Sequence, residues 1–417
     1  MSRADWVSWE EARARILASV ATPGQERVPI DDALGRALAH PLDSPVAHPP
    51  WDNSAMDGFA VRASEVAGAS SDRPVTLPVS DDIPAGGFPS GPLRPGTAAR
   101  IMTGAPVPEG ATGVIRVEHT DGGDGDRVTI REDSDRERHI RRRGEDIPAG
   151  GRLLDAGEEI GPAAIALLAL AGRTDVEVGR RPRVGVLANG DELAGPDDYA
   201  EVRTGRKIAN SNGPALAAQL RDAGAVPVDL GIARDDPGHL RERLEAGADC
   251  DAIISAAGVS VGEHDHVKAV LDELGFERHF WRVKMRPGSA TLYGLLDGRP
   301  LWGVPGNPVS AMVAFETLVR PAVRRMAGFA RILRRPVQCV LAEELRGPAD
   351  VTSFLRVLVT DRATGRPEAR PTGPQGSGIL TSMLADGLAV LPLGVDRVPP
   401  GGRTGVIPLR EWTAAAG

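Results

Sequence analysis

Residues 180–190 read RRPRVGVLANG. The five-residue apolar run 184–188 ends at Asn189-Gly190, the pattern of a strand buried on both faces that stops at a turn. Downstream the pattern alternates. NSNGPALAAQLRDAG (210–224) reads as a capped helix ending at Gly224, and AVPVDLGIA (225–233) as a strand. DPGHLRERLEAGA (236–248) reads as a helix with Asp236 as N-cap and Pro237 at its first position. The strand DAIISAAG (251–258), the helix DHVKAVLDELG (265–275) and the strand RPLWGVPG (299–306) follow, the last running into the helix NPVSAMVAFETLVRPAVRRM (307–326). Repeated strand–helix units of this length predict a parallel sheet covered on both faces, with ligands bound beyond the carboxyl ends of its strands.

Away from this core the pattern changes on both sides. From about residue 70 to 140, PVTLPV, AARIMTG, GVIRVEHT and RVTIRE are short strand-like runs divided by Gly, Pro and Asp, which predicts a small all-β module. From about 330 onward VQCVLAEEL, TSFLRVLVT, GLAVLPLG and GGRTGVIPLR predict a second β module, a small barrel or sandwich. At the N-terminus Ser8 and Glu11 form a Ser-x-x-Glu helix start. The expected fold class is therefore multidomain: a central three-layer α/β domain, a small β module before it and a barrel-like β domain after it.

The chain has 417 residues, 25% of them charged, with a formal charge of −8, which argues against a nucleic-acid binder. Any anionic ligand must be held by a local basic patch. The two cysteines, Cys250 and Cys339, lack metal or disulfide spacing and fit a reducing compartment. AAIALLALAG (163–172) is too short to cross a bilayer and the N-terminus has no apolar signal core, so a cytoplasmic protein with no membrane partner is expected.

Three strand-to-loop junctions carry polar residues: LANGDEL (187–193), SAAGVSVGEHDHVK (255–268) and GVPGNPVSAM (303–312). In the last two, Gly258, Ser260, Pro305, Gly306 and Asn307 sit where a Gly turn meets a helix start, a geometry that either cradles an oxyanion or merely turns the chain. Glu192, Asp235 and Asp265 follow predicted strands and would converge on one rim, a donor set suited to Mg²⁺. Asp236 next to Asp235 is read as a cap. WRVKMRPGS (281–289) puts Arg282, Lys284 and Arg286 on one strand face, either for a bound anion or as a charged edge. RERHIRRRGED (136–146) reads as an exposed linker or strand edge. PPWDNSAMDGFAV (49–61) places Asp57 on a Gly-adjacent turn at a strand mouth, either as turn chemistry or as a ligand.

DNSAMDGFAV, RIMTGAPVPEGATGVIRVE, RRGEDI, NGDEL, GVSVGEHDHVK, MRPG, WGVPGNPVSAM and QGSGILTSM occur in the order found in the MoeA family, which the chain resembles over nearly its whole length. The resemblance implies a molybdopterin molybdenumtransferase related to the C-terminal domain of gephyrin: a homodimer that inserts molybdate into adenylylated molybdopterin in a Mg²⁺-dependent step and releases AMP. It implies functional acids at Asp57, Asp146, Glu192, Asp235 and Asp265, with Glu192 and Asp265 as metal ligands. It also implies Thr103, Arg356 and Ser377 as site residues, Arg282, Arg286 and the loop residues above as anion binders, and a molybdopterin adenylyltransferase as partner. The implied domains are 1–27 with 181–328 (α/β), 28–48 with 145–180 (linking and dimerisation), 49–144 (inserted β) and 329–417 (C-terminal β). The chain departs from the family at Arg282 and Arg286, where two lysines are usual, at Ser289, where a third is usual, and at Ala257-Gly258-Val259 in place of Gly-Gly-Val. Two other readings are a gephyrin-like scaffold without the chemistry and the adenylyltransferase itself, whose Gly-Gly-Thr-Gly loop is absent at 257–260.

Overall fold

A computed structural model describes residues 6–123, 125–257, 266–361 and 367–410. The chain forms two compact units, one of Met1–His40, Ala156–Ile165 and Asp175–Gly417, the other of Pro41–Asp155 and Ala166–Thr174.

In the first unit the strands Val226–Ala233, Arg183–Asn189, Ala252–Ala256 and Arg299–Val304 lie side by side in parallel. Leu292–Leu296 and Glu277–Phe280 extend this sheet antiparallel, so the predicted parallel sheet carries a hairpin at one edge. Side chains alternate between two cores, as the two-residue strand period requires. Val184, Val186, Ile254, Trp302 and Val304 pack with helices Trp9–Ser19, Asn212–Asp222 and Pro308–Ala314. Leu187, Ile253 and Leu301 face the opposite core, shared with helices Pro237–Glu245 and His266–Glu273. This is the expected three-layer arrangement.

The helix starts follow the sequence. Ser8 Oγ accepts from the Glu11 N–H at 3.1 Å, and the Asp236 side chain accepts from the His239 N–H at 2.8 Å. Glu11 does not complete a reciprocal capping box, because its carboxylate takes the Arg15 guanidinium one turn on. The long helix predicted over 307–326 is interrupted: Pro308–Ala314 and Arg320–Met326 flank a wide π turn at Phe315–Val319. Pro321 has no N–H to give and its ring crowds the preceding turn, which the wide turn accommodates.

The C-terminal strands close a five-stranded barrel. Around it run Thr352–Asp361, Pro367–Pro371, Val337–Leu341, Arg403–Pro408 and Gly387–Leu391, which pairs back to Thr352–Asp361. The strand Val283–Arg286 adds to this barrel through Met285 and Arg286, beside Thr352 and Ser353. Val7–Ser8 adds outside it. The basic strand thus bridges from the α/β layers to the barrel wall.

The second unit holds a five-stranded sheet, ordered Gly113–Arg116, Gly58–Val61, Ala98–Ile101, Val75–Ile83 and Arg127–Ile130. A Cβ at Gly58 would lie 1.9 Å from the Ile115 carbonyl oxygen, so the sheet closes there only on glycine. Part of the basic run 136–146 is a strand edge, Ile140–Arg141, paired with Asn53–Ser54. Asp52 fixes the turn beyond, accepting from Arg142 Nη1 at 2.7 Å and from the Arg143 N–H at 2.8 Å.

Candidate active site

The strand ends of the α/β sheet form one rim. Gly190 has φ +139°, and a Cβ there would fall 2.2 Å from Glu192 Oε2, so glycine lets the Glu192 carboxylate fold over the turn. Asp191 and Asp235 lock adjacent loops: the Asp191 N–H donates to Asp235 Oδ2 at 3.3 Å and the Asp235 N–H to Asp191 Oδ1 at 3.4 Å. Glu192 and Asp235 are both exposed to solvent.

Asn189, which the sequence reading passed over, is buried and bridges two strand ends. Its Nδ2 donates to Ser255 Oγ at 2.8 Å and to the Ala257 carbonyl at 3.3 Å. Ala257 itself has φ +72°, a left-handed conformation that costs a residue with a Cβ about 1–2 kcal/mol. Gly258, Ser260 and Asp265 lie outside the described residues. Among those described, no three His, Cys, Asp or Glu side chains converge as a metal site. The hard oxygen donors Glu192 and Asp235 fit Mg²⁺ of the kind that keeps waters and substrate phosphates in its shell.

Pro305, Gly306 and Asn307 form the turn after Arg299–Val304. Asn212 Nδ2 donates to the Gly306 carbonyl at 2.8 Å, and Asn307 stands at the N-cap position of the short helix that carries Ser310 without a side-chain capping bond among the described residues. Ser310 lines a cleft of about 310 Å³ together with Arg286, Ser289, Gln375 and Ser377. The structure therefore gathers the basic strand, the divergent Ser289 and the predicted Ser377 in one place. Arg282 is not on this wall; its guanidinium lies 5.1 Å from the ring centroid of Trp6, which does line the cleft.

A second cleft of about 540 Å³ shares Arg286, Pro287, Pro348 and Gln375 with the first and adds Arg346, Ser353 and Arg356. Arg356 is 0% exposed. Its Nε donates to Ser382 Oγ and its Nη2 to the Gly376 carbonyl, both at 3.1 Å. Gln375 clamps its backbone, accepting from the Arg356 N–H at 2.8 Å and donating to the Arg356 carbonyl at 3.1 Å. Yet among the described residues Arg356 Nη1 has no partner, nor do the buried hydroxyls of Ser353 and Thr352. Burial pulls the guanidinium pKa down, and among the described residues no carboxylate pairs with it. A buried cation with an idle donor beside a cavity calls for an anion.

In the second unit Asp57 Oδ1 accepts from both the N–H and the Oγ of Thr103 at 2.7 Å. These bonds hold its carboxyl below the usual carboxylate range, so it is ionised at neutral pH. Asp146 is exposed on the turn after Arg143, its N–H donating to the His48 carbonyl at 3.3 Å.

Residues 7–172 match the MoeA N-terminal region (domain I and II), 185–325 the probable molybdopterin binding domain and 338–409 the MoeA C-terminal region (domain IV). The chain is 41% identical over 342 residues to molybdopterin molybdenumtransferase 2 of Mycobacterium tuberculosis, covering 81% of this chain and 84% of the relative. It is 34% identical over 407 residues to the Bacillus subtilis molybdopterin molybdenumtransferase, covering 96% and 94%. The molybdopterin biosynthesis MoeA protein from Pyrococcus horikoshii OT3 superposes with a TM-score of 0.83 at 26% identity, over 96% of this chain and 99% of that one. With buried arginine, basic strand and acidic rim already in place on the predicted motifs, these likenesses settle the family: the chain belongs to the MoeA family of molybdopterin molybdenumtransferases.

Proposed function

We propose that this protein inserts molybdate into adenylylated molybdopterin, releasing AMP. Buried Arg356 carries the reading. Its unpaired Nη1 and the free Ser353 hydroxyl offer hydrogen bonds to a tetrahedral oxyanion, and Arg286, shared by both clefts, adds charge from the cleft wall. Ser377 and Ser310 in the adjoining cleft add hydroxyl donors.

The strand-end turns, with Gly258, Ser260, Pro305, Gly306 and Asn307, take the phosphates, in keeping with the carboxyl-end rule for such sheets. Glu192, Asp235 and Asp265 would hold Mg²⁺, which supplies charge neutralisation for cleavage of the phosphoanhydride. The residues do the rest by position. Asn189 orders the rim on which Glu192 sits, Arg286 stabilises charge gathering on the transferred phosphate, and Asp57, held ionised by Thr103, is a further functional acid. Asp146 belongs to the same acidic set.

The site is completed in a homodimer through segments 28–48 and 145–180, the protein is cytoplasmic, and its substrate comes from a molybdopterin adenylyltransferase. The domain limits implied by the family, 1–27 with 181–328, 49–144 and 329–417, belong to the same reading. AMP release from adenylylated molybdopterin, with and without molybdate and Mg²⁺, tests it. Release that requires molybdate and yields active cofactor is expected; tight binding with no release would overturn it.

A further inference from the structure

Within the first unit, the helix Trp9–Ser19, the π turn Phe315–Val319 and the barrel strands Gly387–Leu391 and Arg403–Pro408 contribute walls to a further cavity of about 440 Å³. It shares no lining residue with either cleft of the candidate site. Leu333, Val390, Pro392 and Ile407 make its walls apolar, and Arg13, Glu316, Arg320 and Arg334 bring charge to it. Two of these arginines are matched by acids. Arg334 Nε donates to Glu316 Oε1 at 2.6 Å and its Nη2 to Asp222 Oδ2 at 2.7 Å, while Arg320 Nε stands 3.7 Å from both oxygens. Arg13 is then the surplus charge. Its guanidinium lies 4.2 Å from the Trp9 ring centroid, and burial pulls its pKa down against the influence of Glu10. Two more groups stand idle: Trp9 Nε1 and Arg320 Nε are buried without a hydrogen-bond partner among the described residues, and both residues are only 8% exposed. Each incomplete group is a donor or a cation, so the cavity lacks an acceptor that carries negative charge. Its apolar walls require that acceptor to come on an apolar body.

We propose that this cavity is a binding site for a small organic carboxylate with an apolar body, separate from the clefts that serve the transferase chemistry. The carboxylate pairs with Arg13, whose planar fork matches two carboxylate oxygens, and takes up the idle Arg320 and Trp9 donors. The body lies against Leu333, Val390 and Ile407. The volume is that of a small-molecule pocket, so the occupant is a free acid and not a length of chain.

Isothermal titration of the full chain with 4-phenylbutyrate, and with its neutral counterpart 4-phenylbutanol, tests the site. The wild type should bind the acid and not the alcohol. Arg13→Met should bind the acid about 10- to 100-fold more weakly, the cost of losing charge-assisted hydrogen bonds. Leu333→Ser should also weaken it, and because Leu333 is 47% exposed the fold is not at stake. Arg356→Met, in the other cleft, should bind the acid as the wild type does. No binding of the acid by the wild type, equal binding of acid and alcohol, unchanged affinity in Arg13→Met and Leu333→Ser, or loss of binding in Arg356→Met would each overturn the site. So would a Leu333→Ser variant that changes oligomeric state by light scattering but not affinity, since the face would then be a contact between copies of the chain. The titration reads no turnover, so its failure and the failure of the proposed molybdate insertion are separate outcomes.

Discussion

Two buried charges, one from each unit, are treated in opposite ways. Asp135, in the second unit, has a side chain 1% exposed and is surrounded by cations and donors. Arg116 Nε donates to it at 2.8 Å, His139 Nε2 at 2.9 Å, and His119 Nδ1 lies 3.0 Å away. Burial works to raise its pKa, but the Arg116 and His139 hydrogen bonds outweigh this and bring it down to about 2. Arg356, in the barrel wall of the first unit, is as deeply buried but has neutral partners and one idle nitrogen. A buried charge whose partners are all present contributes to stability; one left incomplete keeps its remaining interaction for a ligand.

The sharpest way to break this contrast is Arg356→Met. The side chain nearly keeps its volume and loses a desolvated charge that no carboxylate among the described residues pairs with, so thermal stability should hold or rise. Cofactor formation should fall by about 10²- to 10³-fold, the cost of losing one preorganised anion donor. A variant that unfolds yet, when folded, keeps its turnover would place Arg356 with Asp135 as a structural charge.

Asp135→Asn is the counterpart. It leaves Arg116 and two histidines without their shared carboxylate, and about 2–3 kcal/mol of stability should go, read as faster amide exchange over residues 113–139. The pH dependence has a definite sign. Because the folded pKa of about 2 lies below the ordinary 3.8, the stabilisation is complete above about pH 5 and is lost as pH falls toward 2, about 2 kcal/mol in all. Asp135→Asn should flatten that acid limb, and a limb of equal depth in wild type and variant would assign it to other carboxylates.

The sequence made legible whatever depends on local pattern. Strand and helix periods showed the three-layer domain, Asp236 and Ser8 its helix starts, and long motifs the family. It did not show that Val283–Arg286 joins the barrel, since a charged strand reads alike in either sheet until its partners are known. Nor could it find Asn189 or Ser353 as site-shaping groups. Their roles come from burial and from what their side chains leave unpaired, and both are consequences of packing among segments distant in sequence. The π turn at Phe315–Val319 had a signal, Pro321 inside a helical period, that was readable and passed over.

The contrast extends to the backbone. His139 and Ala257 both occupy the left-handed region, at φ +66° and +72°. His139 offsets its strain through the bond to Asp135; the Ala257 methyl makes no such bond and sits where a family glycine is usual. Glycine at the two positions should therefore act in opposite directions. His139→Gly should destabilise, while Ala257→Gly should stabilise by about 0.5–1 kcal/mol, the relief of left-handed strain less the added freedom of the unfolded chain. The methyl also limits its neighbour, because a Cβ on Gly306 would lie 3.0 Å from the Ala257 Cβ. Gly306→Ala should thus cost more in the wild type than in Ala257→Gly, a coupling that a double-mutant cycle in thermal unfolding resolves. Equal costs in both backgrounds would mean that the two turns do not press on one another, and that the strain at Ala257 is confined to its own backbone.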